Sequence, residues 1–86
     1  MIEDNIIEIG QVVHFFSKIN VAVINLGVTL TVGDLILVKG PSTDFEQTVE
    51  SMQIDRNEIK HAEVGQSIGL KVEQPVKEKD IVYKKL

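Results

Sequence analysis

The run Leu30-Thr31-Val32-Gly33-Asp34-Leu35-Ile36-Leu37-Val38-Lys39-Gly40 constrains the fold more than any other part of the chain. Gly33 reaches positive φ at no steric cost and Asp34 can hydrogen-bond neighbouring backbone, so Thr31 to Asp34 reads as a turn. Leu35 to Val38 then forms an uninterrupted apolar run closed by Gly40-Pro41, the pattern of a strand covered on both faces. The rest of the chain supplies further short β-branched runs separated by glycine turns. The expected architecture is therefore all-β: a small closed β-barrel of six strands with one short helical turn.

In chain order, Ile6 to Phe16 reads as strand one, with Ile7, Ile9, Val13 and Phe15 on one face and Gly10 marking a bend or bulge. Val21 to Leu26 is strand two, and Leu35 to Val38 the central strand. Pro41 to Glu46 reads as a polar loop carrying Phe45, and Gln47 to Ile54 as strand four with a bulge near Glu50-Ser51. Asp55-Arg56-Asn57-Glu58 has the spacing of a capping box and predicts the helical turn. Ile68, Leu70 and Val72 alternate inward along strand five. Lys77-Glu78-Lys79-Asp80 is a charged turn into the last strand, Ile81 to Lys84.

A chain of 86 residues buries one core rather than two, so residues 1–86 are expected to form a single domain. Cysteine is absent, which excludes disulfides, thiolate zinc sites and thiol catalysis and agrees with a cytoplasmic location. The acidic start Met1-Ile2-Glu3-Asp4 lacks the basic end of a signal peptide, and no apolar run approaches the roughly 20 residues of a membrane span. Net charge is −4, with seven acids against three bases over residues 34–63. Non-specific nucleic-acid binding, which depends on cations facing phosphates, is not expected of such a chain. Lys71, Lys77, Lys79, Lys84 and Lys85 are the only plausible phosphate contacts.

The order and spacing of Thr31-Val32-Gly33-Asp34, Gly40, Val49, Met52 and Ala62-Glu63-Val64-Gly65-Gln66-Ser67-Ile68-Gly69-Leu70 resemble the second domain of elongation factor Tu, over about residues 6–85. Val12 to Phe16, Gly40 to Gln47 and Glu50 to Ile54 resemble more narrowly the small archaeal proteins described as translation elongation factor-like, which consist of this barrel alone. The barrel is also similar to the C-terminal domain of some U32-family peptidases. The translation resemblance implies contact with tRNA, the ribosome or a translation factor. It does not imply GTP binding, because the chain has no G-x-x-x-x-G-K-[ST] phosphate loop.

The residues themselves offer little chemistry. His14 and His61 lack metal-ligand spacing, with His14 expected to be a hydrogen-bonded structural residue and His61 a surface one. Asp44, Glu46 and Glu50 read as a solvated face, and no serine sits in a nucleophile motif. No catalytic residue, metal site or cofactor is expected, and the chain is read as a non-enzyme. The leading expectation is a noncatalytic binding module associated with translation, the alternative a protein-interaction subunit unrelated to translation. The first would bind protein or structured RNA and the second protein, with Phe45 as an exposed anchor and Lys77 and Lys79 as contacts to phosphate. The competing reading of Phe45 is a ring that folds back to plug the barrel, and that of the lysines is a solubilised turn.

Overall fold

Short β-branched runs broken by turns favour antiparallel pairing, in hairpins of sequence neighbours first. The computed structural model describes residues 5–86. Ten strands follow one another: β1 (Ile6–Phe16), β2 (Val21–Leu26), β3 (Leu30–Thr31), β4 (Leu35–Gly40), β5 (Thr43–Thr48), β6 (Met52–Ile54), β7 (Asn57–Ile59), β8 (His61–Ala62), β9 (Ser67–Lys71) and β10 (Ile81–Lys85). Eight of them make one antiparallel sheet in the order β5-β4-β10-β1-β2-β9-β6-β7, and β3 with β8 forms a separate two-stranded ribbon. The all-β class is as expected. No helix occurs among the described residues.

Three expectations are corrected. The sheet ladder does not run round into a closed barrel, since β5 and β7 remain its two edges. The strand expected over Gln47 to Ile54 is cut at Val49 to Ser51, and its halves join opposite ends of the sheet. β5 pairs with β4, whereas β6 pairs with β9 and β7. The second correction is the helical turn. Asp55 (φ 51°) and Arg56 (φ 67°) form the two-residue loop of the β6–β7 hairpin, in which Ile54 faces Asn57. Two consecutive positive φ values are those of a type I′ turn, and the Asp-x-x-Glu spacing that mimicked a capping box is incidental to it. The third concerns Phe45, which is not an exposed loop tip. Pro41-Ser42 turns the chain in two residues, so residues 43–48 become a strand with alternate side chains inward, and Phe45 lies 9% exposed in the core.

Two bulges set the phase of β1. Its register shifts between Glu8 and Gly10, where an in-strand glycine predicts it, and again between Val12 and His14. Ile9 and Val12 therefore point into the core, while Ile7 and Val13, expected on the inward face, stay exposed. The core is one cluster, built around Ile9, Ile24, Ile36, Met52, Leu70 and Val82.

One turn recurs three times, at Thr31-Val32-Gly33-Asp34, Glu63-Val64-Gly65-Gln66 and Lys77-Glu78-Lys79-Asp80. In each, the fourth residue's N–H donates to the first residue's carbonyl, at 3.0, 3.2 and 3.1 Å. The fourth side chain accepts from the first residue's N–H, at 2.9, 2.7 and 2.9 Å. The third residue has positive φ: Gly33 102°, Gly65 90°, Lys79 78°. Each turn also grips one buried residue of a distant strand or strand end. The third N–H donates to that residue's carbonyl, and the fourth carbonyl accepts its N–H. The gripped residues are Val49, Leu26 and Val12, with all six bonds between 2.8 and 2.9 Å.

A second device works at the gap in the ladder. Gln47, buried on β5, donates through Nε2 to the Lys71 carbonyl at 3.0 Å and accepts at Oε1 from the Glu73 N–H at 2.8 Å. Its carboxamide thus substitutes for one backbone pairing between β5 and the chain leaving β9.

Two outcomes follow from these turns and this stitch. Lys79 occupies a position that costs an L-residue roughly 1–2 kcal/mol, against a glycine entropy penalty of roughly 0.5–1 kcal/mol. Lys79→Gly should therefore raise stability by about 0.5–1 kcal/mol, whereas Gly33→Ala should lower it by about 1–2 kcal/mol through strain alone, as a Cβ there would meet nothing within 4 Å. Midpoint shifts of opposite sign in chemical denaturation, the larger at Gly33, check the pair. Gln47→Leu keeps the volume but leaves the part-buried Lys71 carbonyl and Glu73 N–H without this partner, and should cost about 1–3 kcal/mol by the same measurement.

Candidate functional site

Alternation along β2 puts Ala22 and Ile24 in the core and Val21 and Val23 on the outer face of the sheet, where polar side chains would ordinarily stand. Register carries that apolar character sideways. Phe16 on β1 lies opposite Val21, and His14 opposite Val23. Across the other edge of β2, Val21 faces Lys71 and Val23 faces Gly69, which in turn faces Gln53 on β6. With no side chain at Gly69 the floor drops, and Val21 and Gln53 close over it: a Cβ would come within 3.1 Å of Val21 and 3.3 Å of Gln53. The result is an open groove of about 390 Å3 lined by Phe16, Ile19, Val21, Val23, Gln53 and Arg56. Phe16 is 48% and Ile19 55% exposed, high values for residues of this size side by side.

The groove has a polar frame. His14 meets the Phe16 ring edge-on with centroids 4.4 Å apart, and its Nδ1 lies 3.3 Å from Glu78 Oε2. Asn25 Oδ1 accepts from Ser67 Oγ at 2.7 Å on the same face. Arg56, at the tip of the β6–β7 hairpin, and Lys18 and Lys71 border the groove and its extensions. None of these three cations pairs with a described carboxylate.

The residues singled out by sequence fall elsewhere. Phe45 and Lys77 border one polar depression with Asp44, Gln74 and Pro75, on the far side of the β4–β5 turn. Lys79 is separate from it, in the third clamp turn, where its carbonyl accepts from Gln11 Nε2 at 3.4 Å. The other lysines do not gather into a patch. Lys84 donates to the Thr29 carbonyl at 2.7 Å and lies 3.8 Å from Asp34, and Lys85 is 4.0 Å from Glu46. His14, expected to be a hydrogen-bonded structural residue, has a half-exposed side chain that meets Glu78. Sequence reasoning missed the groove. The available signal was Val21-Ala22-Val23-Ile24, a run without alternation on a strand that is covered on one face only.

One constellation has the outline of catalytic chemistry. Thr31 Oγ1 lies 2.7 Å from His61 Nδ1, and His61 Nε2 lies 2.8 Å from Glu63 Oε2, the connectivity of a nucleophile, base and orienting acid. Thr31 and His61 are, however, directly paired across the β3–β8 ribbon, which accounts for their contact. His61 and Glu63 side chains are 48% and 66% exposed, and Thr31 N–H, the nearest donor for an oxyanion, is already bound to Asp34. The three read as a surface cross-strand network. Among the described residues no group of three His, Asp or Glu could hold a metal ion, and no helix is long and apolar enough to cross a membrane.

No protein-family model matches the chain. The uncharacterized protease MJ0090 of Methanocaldococcus jannaschii is 44% identical over 78 residues, which make up 90% of this chain but 19% of that protein. Two crystal structures of the C-terminal domain of a Geobacillus thermoleovorans protein named as a U32 peptidase, one a selenomethionine variant, share the fold. Their TM-scores are 0.82 and 0.83 at 22% identity, covering 88% and 91% of this chain and 96% and 91% of theirs. These relatives overturn the likeness to elongation factor Tu and to the archaeal elongation factor-like proteins, and with it the translation-associated role. The misleading residues have a physical identity: Thr31 to Asp34 and Glu63 to Gln66 are two of the clamp turns, and Ile68 and Leu70 are core. They report a way of turning a strand rather than a function. The expectation of a non-enzyme likewise finds no support in a relative named a protease. What the chain shares with the Geobacillus structures is the architecture of a C-terminal domain.

Proposed function

We propose that the chain is an accessory, protein-docking domain of the U32-peptidase type, which packs against the peptidase part of the protein it serves while the chemistry lies in that part. The observation that carries this reading is the match at 44% identity to a segment amounting to 19% of a protein named a protease. The domain's own chemistry agrees with a noncatalytic role: the Thr31-His61-Glu63 arrangement lies on an exposed surface, and the Thr31 N–H is already given to Asp34. Its surface agrees with docking, because Phe16 and Ile19 are exposed together beside Val21 and Val23. A reducing compartment such as the cytoplasm agrees with a chain that carries no cysteine.

Exchanging the matched 78-residue segment of the Methanocaldococcus protein for this chain tests the proposal. The chimera should unfold in one cooperative calorimetric transition, with the grafted domain melting above the midpoint of the isolated chain, because a docked interface adds to the stability of both parts. Two separate transitions, with the graft melting where the free chain melts, would show that the domain does not dock.

A further inference from the structure

We draw no further inference here: the strongest candidate, the open groove lined by Phe16, Ile19 and Arg56 on the outer face of β2 and β9, is an apolar face on which Asp55 matches Arg56, and nothing in the structure shows what covers it.

Discussion

The structure hangs on a four-residue turn that pairs its first residue with its fourth and then uses two further backbone groups to hold something else. Within each clamp the first residue's N–H and C=O go to the fourth residue's side chain and N–H. That leaves the third N–H and the fourth C=O facing one way, spaced to take both backbone groups of a single residue. Val49, Leu26 and Val12 are the residues taken, and each is almost wholly buried. A buried backbone amide without a partner costs about 1–3 kcal/mol, and these residues sit where ladders end, shift register or cross over. The clamps make such places affordable inside a small domain.

Their position in the chain explains their weight. Each clamp directly precedes a strand: β4 after Asp34, β9 after Gln66, β10 after Asp80. The gripped residue fixes where that strand enters the sheet, and a strand displaced by one residue would turn its core face to water. The third clamp shows this most directly. It grips Val12 at the second bulge of β1, and the strand that follows it lies between β4 and β1, joining the N-terminal hairpin to the β4–β5 hairpin. Gln47 completes the arrangement from the other side, with a side chain in the role of backbone where β5 and β9 pass without pairing.

Much of this was legible in the residues. β1 and β2 begin and end where the β-branched runs do, the inward set Ile68, Leu70 and Val72 follows from alternation, and Gly33 and Gly65 mark two of the three clamps. The third was hidden because Lys79 stands where glycine would announce it, and the Lys77 to Asp80 stretch looks like any charged turn. The β6–β7 hairpin was hidden likewise, since Asp55-Arg56 is an unusual pair for a type I′ turn and imitates a helix start. Phe45 was misplaced because Pro41-Ser42 suffices as a turn and a longer loop was assumed. The groove escaped for a different reason. Its residues belong to β1, β2, β6 and β9 and the turns beside them, and only the register brings them together.

The same distinction bears on how a chain like this is read for function. Residues that satisfy a clamp or fill the core answer to backbone and packing constraints that any protein using this turn must meet, so likeness confined to them reaches across unrelated activities. Outer-face positions carry no such obligation. Val21 is buried on that face and Val23 half-buried, so the large apolar side chains that stand in water there are Phe16 and Ile19. Arg56 at positive φ runs against the preference of its turn. Phe16 and Ile19, apolar where water is available, and Arg56, strained where glycine would relax it, are departures on one face that folding does not explain. The docking reading rests on that face, the outer side of β2, β9 and the β6–β7 hairpin.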